Sequence, residues 1–315
     1  MPSLFDLHCD TAYEMYKGKQ GLAHNTLGID IEKFDAFENK AQIFAIWSDE
    51  SLTDDEVYVN FKHVSAEFHG HINENIQKIS LCTTAQEIKT AQEQDKIAAL
   101  LSVEDARLLG NDLSRLETLY NEGVRIITLC WKGMSVIGGG YDTDEGLTDF
   151  GLEVLSQCEK MGIVVDVSHL SEKGFWDVAN KASKPFIASH SNANLICSHK
   201  RNLTDVQYRT ISSSGGIVGI SLVAKHLAKA YRDNTPEQCS ALETVCNHIE
   251  HFLEIDSTAL CLGLDFDGTT PLAGLEDLSK VPVLHEALTN RGLDEKVADD
   301  VFYNNAFRFF NNALN

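Results

Sequence analysis

Apolar residues in this chain gather in short runs separated by polar and glycine-containing stretches. Residues 4–7 (LFDL), 41–47 (AQIFAIW), 97–103 (IAALLSV), 124–129 (VRIITL), 162–167 (GIVVDV), 185–189 (PFIAS), 215–221 (GGIVGIS) and 259–264 (ALCLGL) have the length of strands. Most are continuous and not alternating, the pattern of strands covered on both faces. Between them, residues 54–79, 84–95, 112–122, 151–160, 171–182, 204–212 and 236–254 carry apolar positions at helical spacing. Leu152, Leu155 and Cys158 recur at about that period before Gly162, a stop signal, and Leu203-Thr204-Asp205 reads as a helix start. Strand alternating with helix predicts a parallel α/β architecture. Eight strands predict a closed, TIM-like (β/α)8 barrel forming a single domain over residues 1–315. The alternative, a doubly wound open sheet, lacks its glycine-rich fingerprint after the first strand.

In such a barrel the reactive residues collect where strands end. Five of the predicted strands run into a histidine or carboxylate: His8-Cys9-Asp10, Val103-Glu104-Asp105, Asp166-Val167-Ser168-His169, Ser189-His190-Ser191 and Asp265-Phe266-Asp267. His8 and Asp10, two apart on extended chain, share a face, and Cys9 points to the other one. Any one of these histidines has a bland explanation as a buried, hydrogen-bonded ring. Together, three histidines and two carboxylates at neighbouring strand ends are the ligands for two adjacent divalent metals, zinc or similar. Glu104 is then able to bridge both ions.

Composition narrows the field. The 315 residues are 43% hydrophobic, enough for a sizeable core and against disorder. With 26 Lys+Arg against 47 Asp+Glu the net charge is −21, which argues against a general nucleic-acid binder. No apolar run approaches the ~20 residues of a membrane helix. The start, Met1 to His8, has neither the basic nor the apolar region of a signal peptide. Eight cysteines without CxxC spacing predict free, mostly buried thiols, and hence a cytoplasmic protein.

These motifs, in this order, resemble the membrane (renal) dipeptidase family, binuclear zinc barrels related to the amidohydrolases, through nearly the whole chain. The family's His-x-Asp falls on His8 and Asp10, its Val-Glu on Val103-Glu104, and its Asp-x-Ser-His on Asp166 to His169. Its Ser-His-Ser falls on Ser189 to Ser191, Arg-Asn-x-x-Asp on Arg201 to Asp205, and Gly-x-Asp-Phe-Asp-Gly on Gly263 to Gly268. The resemblance implies a zinc-dependent dipeptidase with a barrel of the metal-dependent hydrolase type. By that likeness His8, Asp10 and Glu104 bind one zinc, Glu104, His169 and His190 the other, and the two share a hydroxide. Arg201 would hold the substrate's carboxylate, and Asp265 would move protons, with Asp267 its nearby alternative. A C-terminal D-residue and a homodimer are further properties that the family suggests.

The pattern departs from the family after the fourth strand. Where the renal enzyme has Thr-x-Thr-His, this chain has Thr128-Leu129-Cys130-Trp131, so Trp131 stands in place of a substrate-facing histidine. Trp131 is expected to shape the pocket, with Lys132 or Tyr141 as candidates to hold the scissile carbonyl. The departure also opens a second reading, hydrolysis of another carboxylate-bearing amide. A third, a non-catalytic metal-binding relative, has no use for Arg201 and Asp265 beside a full ligand set.

The remaining histidines are weaker. His69 and His71 lie two apart on a helix and face different sides. His248 and His251 are expected to be an exposed surface pair, His199 a loop residue or a neighbour of the substrate. His24, His63, His226 and His285 carry no signal. The acidic run 142–146 lacks the ligand spacing of a calcium loop, and Gly138–Gly140 lacks the Gly-Lys-Ser/Thr of a phosphate cradle.

Overall fold

The computed structural model describes residues 1–233 and 240–315. Its strands are β1 (Leu4–Cys9), β2 (Lys40–Ile46), β3 (Ile79–Leu81), β4 (Ile97–Glu104), β5 (Val124–Thr128), β6 (Val164–Asp166), β7 (Val218–Ile220) and β8 (Leu260–Leu262). All strand pairs are parallel, in the order β6-β5-β4-β2-β1-β8-β7. The two ends of that order are joined by residues 187 and 188, since Ile187 bridges Asp166 and Ala188 bridges Val218. The sheet therefore curls into the expected barrel.

One strand expectation and one helix expectation need correction. The predicted strand 185–189 is reduced to those two bridging residues. Pro185 has no N–H to offer a ladder, and the Ser189 N–H donates to the Asp166 carboxylate (2.9 Å) and not to a neighbouring strand. The predicted helix 54–79 stops at Glu74, because Ile79–Leu81 pairs with the first half of β4, ahead of the stretch that β5 takes.

Helices cover the strands: α1 (Thr11–Gly18), α2 (Asp54–Glu74), α3 (Ala85–Glu93), α4 (Arg115–Asn121), α5 (Asp149–Met161), α6 (Glu172–Lys181) and α7 (Asp205–Ser213). They continue with α8 (Ala224–Leu227), α9 (Lys229–Arg232), α10 (Ala241–Ile255), α11 (Pro282–Asn290), α12 (Glu295–Asp299) and α13 (Asn305–Ala313). Their ends follow local chemistry. Thr53 with Glu56, and Thr204 with Gln207, form capping boxes that satisfy free N–H groups at the starts of α2 and α7. Gly162 ends α5 at φ 77°, a left-handed turn that favours glycine. The first residues of the predicted helix 236–254 lie outside the described residues, and α10 runs from Ala241.

The C-terminal helices were not expected from the pattern, yet they seat the barrel. Phe310 of α13 stacks on Phe5 (5.2 Å between rings), and Asn305 donates to the Ser257 and Leu260 carbonyls at the start of β8 (2.8 Å each). Each fully buried phenylalanine contributes about 2–3 kcal/mol. Helix α13 thus covers the strand beginnings, leaving the opposite mouth to the motif residues. Among the described residues seven cysteines are free and buried, and no helix is long and apolar enough to cross a membrane.

Candidate metal centre and substrate pocket

The strand ends are tied together before any chemistry is added. The Asp10 N–H donates to Phe266 O (2.9 Å) and the Asp265 N–H to His8 O (3.0 Å), joining the ends of β1 and β8. Asp265 and His169 sit at φ 62° and 71°, a region costly for residues with a β-carbon and often occupied at functional sites. Asp166 is the strongest tie. Its Oδ1 accepts the N–H groups of Ser168 and Ser189 (2.9 Å each), and its Oδ2 accepts the hydroxyls of Thr128 (2.7 Å) and Ser189 (2.6 Å). Because the Ser189 hydroxyl donates to Asp166, its oxygen accepts from His190 Nδ1–H (2.8 Å). This network assigns the tautomer of His190 and leaves its Nε2 lone pair free for a ligand role.

The predicted metal ligands come together. His8 Nε2 lies 3.5 Å from Asp10, 3.7 Å from Glu104 Oε2 and 3.9 Å from Asp265. The other Glu104 oxygen, Oε1, lies 3.0 Å from His169 Nε2 and 3.5 Å from His190 Nε2. Glu104 therefore offers one oxygen to each side. His8, Asp10 and Asp265 bring ligand atoms within 4.8 Å of one another, as do His8, Glu104 and His190. Asp265 thus joins His8 and Asp10 as a third residue able to hold a metal ion. His8 Nε2 and Asp10 Oδ1 are buried without a hydrogen-bond partner. Unpaired buried donor atoms among imidazoles and carboxylates fit divalent cations.

The electrostatics agree. Burial disfavours a charged His8 ring, but Glu104, Asp10 and Asp265 outweigh it and raise its pKa to about 10. Burial, then Asp10, pushes Glu104 well above the usual carboxylate range, with His8 opposing. Asp265 is raised to about 7, again by burial first. His169 and His190 are held well below the ordinary imidazole value by burial and then by the charges of Arg201 and His8. Such a crowd of buried carboxyls is short of positive charge, which bound cations supply.

A cavity of about 300 Å³ opens over this cluster. Arg201, 4% exposed, is anchored by one guanidinium nitrogen on the His190 carbonyl (3.2 Å), while its Nε has no partner. Trp131 lines the cavity, with its ring 6.0 Å from His169 and edge-on to Trp47 at 5.3 Å. Tyr141 lines it too, its ring 6.0 Å from His169. The glycines before it serve packing. A β-carbon on Gly139 would lie 2.4 Å from Glu145 O, and one on Gly140 2.6 Å from the Lys132 backbone. Lys132 itself turns away to pair with Glu50 (3.1 Å). Asp267 borders the cavity but spends both oxygens on the Thr11 hydroxyl (2.5 Å) and the Gly28 N–H (2.6 Å).

Five wall residues were missed: Tyr13, Glu14, Trp47, Val223 and His226. Tyr13 and Trp47 meet edge to face at 5.2 Å and extend the aromatic wall from Trp131. His226 stacks near the His199 ring (4.4 Å) and is held neutral, its pKa lowered to about 2 by burial and then by Arg201. His199 accepts the Arg201 N–H (3.1 Å), a loop-shaping role. The expected surface pair is corrected outright: His248 is fully buried, and His251 contacts Asp205 (2.8 Å).

Comparison with known proteins agrees with this geometry. A 33% identical stretch of 245 residues, covering 75% of this chain and 89% of the relative, is shared with an uncharacterized protein of the pqqA 5′ region in Klebsiella pneumoniae. The fold matches a metallo peptidase from Rhodobacter sphaeroides, solved with a phosphinate mimic of the dipeptide L-Ala-D-Ala, at TM-score 0.91 and 24% identity over 98% of both chains. It also matches the dipeptidase AC, a metallo peptidase of family M19, at TM-score 0.92 and 24% identity over 99% of both chains. The model of the membrane dipeptidase family matches residues 2–315. With ordered motifs at the barrel mouth and a family match from end to end, the chain belongs to the membrane dipeptidase family, peptidase family M19, and is a peptide-bond hydrolase.

Proposed function

We propose that this chain is a zinc-dependent dipeptidase, working with two metal ions on dipeptides that include those with a C-terminal D-residue. The observation that carries the reading is Glu104, with one oxygen 3.7 Å from His8 and the other 3.0 Å and 3.5 Å from His169 and His190. In this reading His8, Asp10 and Glu104 hold one ion, and Glu104, His169 and His190 the other. A mixed imidazole and carboxylate set suits zinc. When bound, such a pair of ions acidifies water and neutralises charge that develops on the peptide carbonyl.

The protein's own residues do the rest. Arg201 binds the free carboxylate through its unpaired edge, which orients the peptide and favours short substrates. Asp265, buried and with a pKa near neutrality, takes a proton from the attacking water and returns it to the leaving amine. Asp166, through Ser189, keeps His190 in the tautomer that presents Nε2. Tyr13, Trp47 and Trp131 wall off water from the cleft, in line with a substrate of dipeptide size in about 300 Å³. The buried free thiols fit a reducing compartment, the cytoplasm.

The test is a panel of dipeptides, with either stereochemistry at the second residue, assayed in zinc with wild type, Glu104→Ala and His169→Ala. Wild type should hydrolyse members of the panel, and each variant should lose at least about a thousandfold in kcat/KM. Undiminished turnover in either variant would refute the metal assignment.

A further inference from the structure

Arg201 and Trp47 stand on opposite sides of the barrel mouth, and both line the cavity over the metal ligands. With the 187–188 segment counted as one station, the closed ring runs 187–188, β6, β5, β4, β2, β1, β8, β7 and back. Arg201 is fastened to the His190 carbonyl (3.2 Å), just past the 187–188 segment. Trp47 directly follows β2, which is the fourth station from that segment in either direction. The metal ligands lie between the two. Glu104 ends β4 on one way round; on the other, His8 lies near the end of β1 and Asp265 just past β8.

The side of the cavity remote from Arg201 is aromatic. Tyr13, just past β1, meets Trp47 edge to face at 5.2 Å, and Trp47 meets Trp131, just past β5, at 5.3 Å. All three residues line the cavity, and both tryptophans are half-buried. The charges beside them are already matched. Lys17, 5.7 Å from the Tyr13 ring, pairs with Glu14 (3.3 Å). Lys132, 5.8 Å from the Trp131 ring, pairs with Glu50 (3.1 Å). Each pair is neutral, so this side calls for neither a cation nor a carboxylate. Half-open aromatic surface at a cavity gains from covering by an apolar group, and most from another ring set edge-on or offset.

We infer that Tyr13, Trp47 and Trp131 receive the side chain of the substrate's N-terminal residue and select large apolar side chains, aromatic ones foremost. The inference rests on the dipeptidase reading, in which Arg201 holds the C-terminal carboxylate. A dipeptide held there has its scissile bond over the metal ligands, so its N-terminal residue extends toward the opposite station, where Trp47 stands. The three rings set which side chain is accepted, while bond breaking stays with the metal ligands and Asp265.

The experiment uses the full-length, zinc-loaded protein and two series of dipeptides, X-Ala and Ala-X, with Ala, Leu, Phe, Lys or Glu as X and either stereochemistry at the second residue. In the X-Ala series Phe should exceed Ala, Lys and Glu about tenfold in kcat/KM, with Leu between. In Trp131→Ala the Phe-to-Ala ratio of that series should fall about fivefold, and in Trp131→Phe, which keeps a ring, by less than about twofold. The Phe-to-Ala ratio of the Ala-X series should stay within about twofold of wild type in both variants. Each ratio compares two substrates on one preparation, so loss of folded enzyme cancels. A wild-type preference for any other first residue over Phe overturns the inference. So does an X-Ala ratio unchanged in Trp131→Ala, or an Ala-X ratio that falls as far. Hydrolysis of no dipeptide in either series refutes the dipeptidase reading, and this inference with it. Turnover without preference at the first residue refutes this inference alone.

Discussion

One arc of the barrel, β1, β2, β4 and β5, is built from strands of 6, 7, 8 and 5 residues, whereas β6, β7 and β8 on the other arc have three each. The long arc is held by ladders, such as the six consecutive pairs from Ala41↔Ala98 to Ile46↔Val103. In the short arc side chains take over. Asp166 accepts the Ser168 and Ser189 N–H groups, and Asn192 bonds both the N–H and the carbonyl of Ser221 (3.0 Å each). At the seam, Asp6 accepts the Leu264 N–H (2.7 Å). The short arc also carries His169, His190, Arg201 and Asp265. Where strands stop early, backbone is free to turn a side chain toward the axis, and buried polar residues must replace the lost ladder bonds. Motif residues that touch no ligand therefore belong to the construction of the site.

The sharpest break in this comparison is Asp166→Ala. It leaves two buried N–H groups unpaired and should lower unfolding stability by on the order of 3–5 kcal/mol in denaturant melts. A loss under about 1 kcal/mol would mean that ladders, not side chains, hold the short arc.

Next is pH. His248 Nδ1 accepts the Ala193 N–H (3.0 Å), and its Nε2–H donates to the Leu227 carbonyl (2.9 Å), so the fold needs the neutral ring. Burial lowers its pKa to about 4. Between an unfolded value of about 6.5 and that folded value, the unfolded chain binds a proton that the folded chain does not. Stability supplied by the neutral ring is therefore lost as pH falls through this window. His248→Gln should flatten the stability slope between those limits, and an unchanged slope would contradict the buried neutral role. The smallest effect is expected in the long arc. Ser102 donates only to Phe44 O at 3.4 Å, so Ser102→Ala should cost about 0.5 kcal/mol or less.

The site was legible in the sequence where its residues sit next to strand ends. His8-x-Asp10, Glu104, Asp166 to His169, and His190 stand out because a barrel concentrates chemistry there, and parallel strands show as apolar runs. Of the pocket wall, Trp131 and Tyr141 were legible but Tyr13, Trp47 and His226 were not, because they have no motif and meet only through the closed barrel. His248 was misjudged although a signal existed. Val245, Ile249 and Phe252 form the buried stripe of α10, and His248 lies on it. The three-residue strand β3 is too short to show a period. The predicted strand 185–189 had the right composition but lost its ladder to Asp166, a partner distant in sequence.

The most direct test of the account is the metal content of the full chain after equilibration with zinc and removal of loosely bound ions. The account predicts about two equivalents per chain in wild type and less than about one in Glu104→Ala, with dipeptide hydrolysis lost in parallel. A wild-type chain that hydrolyses dipeptides with at most one bound ion, or a Glu104→Ala variant that keeps both, would contradict it.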